Sequence, residues 1–109
     1  MFQFSYLHIH SGPHERQNFS HPHGVWIYKD WAYVTDLGTD RIYQYRIDPV
    51  EGQIQRVHTT VSRRGAGPRH LVFHKELKLA FVVNELERSF VVMSIASDGR
   101  LLYEVLFSD

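Results

Sequence analysis

The chain repeats itself. Landmarks in its first half recur in its second at a nearly fixed offset: His23 to His70 is 47 residues, Asp36 to Asn84 is 48, Ile47 to Ile95 is 48 and Gly52 to Gly99 is 47. A period of that length, held through four separated landmarks, restricts the fold to architectures in which one supersecondary unit is copied along the chain. Helical repeats of similar length exist, so the pattern inside the repeat has to decide the class. Each repeat carries short runs rich in Val, Ile, Tyr, Phe and Trp, broken by turn residues at intervals of roughly 8–12 positions, which is the pattern of short antiparallel strands. Tyr43, Tyr45 and Ile47 alternate with Gln44 and Arg46, placing the apolar residues on one face of a pleated strand. Asp48-Pro49-Val50-Glu51-Gly52 and Ser97-Asp98-Gly99-Arg100 put turn chemistry at the same place in both repeats. Helix has little support: the best candidate, Lys75-Glu76-Leu77-Lys78, is one turn long and falls where a hairpin loop is expected.

The pattern predicts strands over 23–28, 31–36, 41–47 and 54–60, then over 70–73, 79–84, 89–95 and 101–106. Four strands per repeat of this length is one blade of a β-propeller. The expected fold is therefore all-β, a partial propeller of two consecutive four-stranded antiparallel blades, with residues 4–9 as one strand of a preceding blade. The expected organisation is a single domain over 1–109: the end of the preceding blade and its connection over 1–20, the first blade over 21–69 and the second over 70–109. A closed ring covers the faces of each blade with its neighbours, and two blades leave the outer faces bare. The sequence thus predicts a piece of a larger propeller, a chain that self-associates through exposed blade faces, or one whose free form is marginally stable.

Composition excludes several classes. With 109 residues, 43% hydrophobic content and no cysteine, the chain can bury a modest core but has no disulfide staple. Twelve basic residues balance twelve acidic ones, so no overall field draws the chain to nucleic acid or to an acidic membrane. No apolar run approaches the roughly 20 residues of a membrane helix. The first ten residues lack a basic leader and an unbroken apolar segment, so a cytoplasmic location is the default expectation. No cofactor is expected.

The residues with chemical potential lie in two matching places. Arg63-Arg64-Gly65-Ala66-Gly67-Pro68-Arg69-His70 precedes the apolar run Phe81-Val82-Val83-Asn84-Glu85-Leu86, which fixes an arginine, a histidine and a carboxylate around one short strand. Upstream, His21-Pro22-His23-Gly24 precedes Trp31-Ala32-Tyr33-Val34-Thr35-Asp36 in the same layout. Arg69 stands between a proline that fixes the turn and a strand that anchors it, whereas Arg63 and Arg64 read as a solvated loop. Glu85 ends an apolar strand, where an acid is costly unless it is paired or faces solvent. Asn84 and Asp36 share a column that suggests a structural turn. His21 and His23, two apart on an extended segment, lie on one side and could bind a metal, but no third ligand is placed with comparable clarity. His8 and His10 have the same spacing and read as exposed strand residues.

Taken together, Glu15-Arg16-Gln17, His21-Pro22-His23, Asp36-Leu37-Gly38-Thr39-Asp40-Arg41, Gly65-Ala66-Gly67-Pro68-Arg69-His70 and Asn84-Glu85-Leu86 resemble the seven-bladed propeller lactonases, a family that includes 6-phosphogluconolactonase and 3-carboxy-cis,cis-muconate cyclase. The resemblance implies that about five of seven blades are missing from this chain. It implies catalytic roles for His21, Arg69 and Glu85 and substrate contacts from His23, Gly67 and His70. A further arginine contributed from a later blade has no counterpart here. The implied substrate is a small anionic lactone or carboxylate, hydrolysed or cyclised by His/Glu acid–base chemistry with arginine charge stabilisation. The runner-up expectation is a propeller-derived binding module or an inactive truncated product.

Overall fold

A computed structural model of the chain describes residues 17, 19–20 and 22–108. His21 and the strand expected over 4–9, with His8 and His10, lie outside the described residues. The described chain forms eight strands: β1 (Pro22–Tyr28), β2 (Trp31–Asp36), β3 (Arg41–Ile47), β4 (Ile54–Val61), β5 (Pro68–His74), β6 (Leu79–Asn84), β7 (Ser89–Ile95) and β8 (Leu101–Ser108). They make two four-stranded antiparallel sheets in the orders β1-β2-β3-β4 and β5-β6-β7-β8. The expected all-β, two-blade architecture is what folds, and residues 75–78 form a turn between β5 and β6 as expected.

The register corrects the repeat in one respect. Pro22 pairs with Asp36 and Gly24 with Thr35, while Pro68 pairs with Asn84 and His70 with Val83. Pro22 is therefore equivalent to Pro68, and His23 to Arg69, an offset of 46 rather than the 47 expected from matching His23 to His70. The offset grows to 48 at β2 and β6 because two residues, Lys29 and Asp30, join β1 to β2, whereas four, 75–78, join β5 to β6. The strand expected from residue 70 starts two residues earlier, at Pro68.

Strand alternation gives each sheet two apolar faces. Tyr28, Tyr33 and Ile42 of the first sheet meet Leu71, Ala80, Val82, Val91, Met93, Ile95 and Leu101 of the second, with Trp26, Trp31 and Phe73 packed against them. Phe73 lies between Tyr28 and Tyr33, with ring centroids 4.9 and 5.0 Å away. The reverse face of the first sheet carries a second cluster of Ala32, Val34, Tyr43 and Tyr45, with Ile47 beside it, so the alternation read at 43, 45 and 47 holds.

Polar hooks cross the seam as well. The Tyr33 hydroxyl donates to the Gly99 carbonyl at 2.7 Å, and Gln44 Nε2 donates to the Asp98 carbonyl at 3.0 Å. Thr35 Oγ1 donates to the carbonyl of Arg69 at 2.8 Å. The last of these bonds fixes the start of β5 against the end of β2, where the candidate residues gather.

Candidate functional site

Both β1 and β5 open with a bulge. One residue between Pro22 and Gly24, and one between Pro68 and His70, is left out of the ladder with the neighbouring strand. These two residues are His23 and Arg69. A bulge re-aims the side chain it carries and is common beside active sites. Here it turns His23 and Arg69, 46 positions apart, toward each other across the seam.

Arg69 is the hub of the group. Its Nε donates to His23 Nε2 at 3.1 Å, and its Nη1 makes a short ion pair with Glu85 Oε1. Arginine Nε has only a hydrogen to give, so the imidazole receives it on an Nε2 lone pair and is neutral in this arrangement. Nη2 has no partner among the described residues and remains available to an anion. The Arg69 side chain is 40% exposed and that of Glu85 26%, so the pair sits at a surface that solvent and a small molecule can reach.

His70 stands beside the hub. Its ring meets His23 edge-on at 5.3 Å between centroids and Trp26 at 5.9 Å. Of the expected site residues, the structure thus gathers His23, Arg69, His70 and Glu85 at one end of the two sheets, and His21 falls outside the described residues. Gly67, also expected to contact substrate, lies in the loop just before Arg69. Its amide donates to Asp40 Oδ1 at 2.8 Å, so that donor is already committed within the protein.

Asp40 is the residue that sequence reasoning missed. It is 2% exposed, and its carboxylate accepts Gly65 N–H at 2.7 Å on Oδ2, with Gly67 N–H and Gln17 Nε2 (2.7 Å) on Oδ1. Asp36 serves the same region one step earlier: its Oδ1 accepts the amides of Gly38 and Thr39, and its Oδ2 accepts Ser20 Oγ. The signal was in the sequence, since two acids four apart close an apolar strand in Asp36-Leu37-Gly38-Thr39-Asp40. The second blade departs from this pattern. Arg88 stands in Asp40's place, with the same left-handed backbone (φ 56° against 55°). Asn84 stands in Asp36's place, donates to Ser89 Oγ at 3.2 Å, and leaves its Oδ1 buried without a partner among the described residues. Ala66, at the position equivalent to Ser20, has no hydroxyl to give it.

Arg63, read as solvated, pairs with Glu87 at 3.0 Å while remaining largely exposed.

Residues 3–105 match the family described as "Lactonase, 7-bladed beta-propeller". The chain belongs to the seven-bladed β-propeller lactonase family. It is 35% identical over 88 residues to the 6-phosphogluconolactonase of Bacillus subtilis, an alignment covering 79% of this chain and 25% of that protein. It is 36% identical over 92 residues to an uncharacterised protein of Staphylococcus aureus, covering 83% of this chain and 26% of the relative. Among solved structures, a protein from Lactobacillus plantarum superposes with a TM-score of 0.85 at 28% identity, covering 97% of this chain and 31% of that one. The periplasmic gluconolactonase of Pseudomonas aeruginosa shares the fold, with a TM-score of 0.82 at 24% identity over 94% of this chain and 30% of that one. The chain spans about a quarter of the length of the curated relatives it matches. No helix among the described residues is long and apolar enough to cross a membrane.

Proposed function

We propose that this chain carries part of the active site of a lactonase that opens an anionic sugar lactone, with Arg69, Glu85 and His21 as the reacting groups and His23 and His70 beside them. The observation that carries the proposal is the contact of one guanidinium with a carboxylate of its own blade and an imidazole of the neighbouring blade. The similarity to Bacillus subtilis 6-phosphogluconolactonase supports the substrate class.

In this reading a water attacks the lactone carbonyl carbon and passes a proton to Glu85 or to a histidine of the group. The oxyanion that develops draws on the positive charge of Arg69, whose planar fork also grips a carboxylate or phosphate. The ring C–O bond then breaks and the leaving oxygen takes up a proton, giving a hydroxy acid. Pairing with Glu85 and His23 holds the guanidinium before substrate arrives, so little reorganisation remains for the reaction itself. The same groups run in reverse serve lactone formation on a carboxymuconate-like substrate, and the assay should include both directions. A cytoplasmic location belongs to the same proposal. Fractionation of the native host tests it, the Pseudomonas aeruginosa protein of this fold being periplasmic.

The test is a chimera in which this chain replaces the matching segment of the Bacillus subtilis enzyme, assayed with a sugar-phosphate lactone. Arg69→Ala is expected to lower kcat by about 10²-fold, the scale of a lost oxyanion-stabilising group. Kinetics unchanged by that substitution would remove Arg69 from the mechanism and leave the cluster as a binding surface.

A further inference from the structure

Arg69 and Glu85 meet only if two separate turns are held in register, and one buried carboxylate holds the first turn, which in turn holds the second. Asp40 lies in the β2–β3 turn of the first blade, 25 and 27 residues before Gly65 and Gly67, whose amides it accepts on its two oxygens. Its own carbonyl accepts Ser62 N–H at 2.8 Å, so the connection between the blades is tied to it from β4 onward. The loop it holds then holds the second turn: Glu85 N–H donates to the Gly67 carbonyl at 2.8 Å, and Leu86 and Glu87 N–H donate to the Ala66 carbonyl at 3.1 Å. Gly67 lies two residues before Arg69, and its carbonyl anchors the backbone of Glu85. Both partners of the ion pair are thus referenced to one carboxylate.

We infer that Asp40 is a positioning residue for the Arg69–Glu85 pair, acting through the Gly65–Gly67 loop. The inference rests on the reading of Arg69 and Glu85 as site residues, but the geometry it predicts can be measured without turnover. Two features make the carboxylate hard to replace. It accepts amide hydrogens on both oxygens at once, which an asparagine, with one acceptor oxygen and one NH₂, cannot do. It is also buried, so water does not substitute freely for a lost acceptor. Gln17, whose Nε2 bridges Asp40 Oδ1 and the Leu37 carbonyl, holds the carboxylate from the other side.

The experiment is hydrogen exchange by NMR on the 109-residue chain, comparing the wild type with Asp40→Asn. The Arg69 Nε–H resonance is assigned by its loss in Arg69→Lys. Asp40→Asn is expected to speed exchange of the Gly65 and Gly67 amides by about tenfold or more, the factor for losing one hydrogen bond to a charged acceptor, and to speed exchange of Arg69 Nε–H along with them. The β2–β3 ladder amides should keep their protection. Retained protection of Arg69 Nε–H in the presence of exposed Gly65 and Gly67 amides would overturn the inference, as would retained protection of all three. Where the isolated chain unfolds on substitution, the same variant is measured in the chimera, whose remaining blades sustain the fold. There Asp40→Asn is also expected to lower kcat by about 10-fold to 100-fold with KM changed less than threefold, the mark of misplaced rather than missing catalytic groups. An inactive chimera would count against the lactonase reading, and the exchange result would still decide the role of Asp40.

Discussion

Arg69 and Gly67, two residues apart, divide the labour of one turn: the first faces the site and the second makes room for the turn itself. Gly67 has φ 66°, a left-handed conformation, and a Cβ added there would lie 2.6 Å from Leu86 Cγ and 3.1 Å from its Cβ. Gly52 has a similar φ of 71° but open space around the same position. Gly52→Ala should therefore cost only the backbone penalty, about 1 kcal/mol, whereas Gly67→Ala adds an overpacking cost for a total of about 2–4 kcal/mol. Urea denaturation of the two variants in the chimera measures the difference. Equal losses would mean that Leu86 moves aside freely. Gly67→Ala should also disturb the loop amides that Asp40 holds, so its loss of activity should exceed what its loss of stability accounts for.

At the scale of the elements, the seam between the two sheets carries polar hooks beside its apolar core. Tyr33 and Gln44 pair with one another across β2 and β3, and both reach the β7–β8 turn; in the second blade Phe81 and Val92 occupy the equivalent pair and carry no such hooks. Burial pushes the Tyr33 hydroxyl well above the usual tyrosine range, with Tyr28 and Asp98 adding to the shift. A hydroxyl that loses its proton less readily when folded contributes stability that is complete below the unfolded tyrosine value of about 10 and is lost as pH rises beyond it. Tyr33→Phe should cost about 1–2 kcal/mol near neutrality, by leaving the Gly99 carbonyl without its donor. It should also flatten the loss of stability above pH about 10 relative to the wild type. A variant with the same alkaline slope as the parent would mean that other groups set it. This seam also marks where sequence reading ran out. The strands were legible because alternation at Tyr43, Tyr45 and Ile47 is a local signal, and the family motifs pointed to Arg69 and Glu85. The pairing of His23 with Arg69 was not, because histidine matched histidine one position away, and only the ladder reveals the two bulges that make His23 and Arg69 equivalent. Asp40 was hidden for a related reason. Its partners lie 25 and 27 residues away, and an acid after a turn reads as surface until the next connection folds over it.

As a whole molecule, the chain presents two blades of a fold that its family builds from seven. The outward face of the second blade is apolar and open: Val72 is 62% exposed, Val83 46%, Phe90 42% and Phe107 47%, with Phe90 and Phe107 stacked at 4.6 Å. A contiguous patch of that kind is covered in a closed ring and drives association when it is not. The site has the same weakness when these 109 residues stand by themselves, since Arg69 and Glu85 are partly exposed at the rim of the two described blades, and preorganised charge loses much of its effect in a wet site. The 109-residue chain made by itself is therefore expected to self-associate and to open a sugar-phosphate lactone at least about 10²-fold more slowly than the Bacillus subtilis enzyme. Light scattering across a dilution series gives the mass in solution, and parallel lactone assays give the ratio of rates. Grafting the chain into the seven-bladed enzyme should reverse both results together, because the same missing neighbours account for the exposed face and the open site. A monomer with turnover near that of the full propeller would show that two blades suffice to hold Arg69, Glu85 and their histidines in working order.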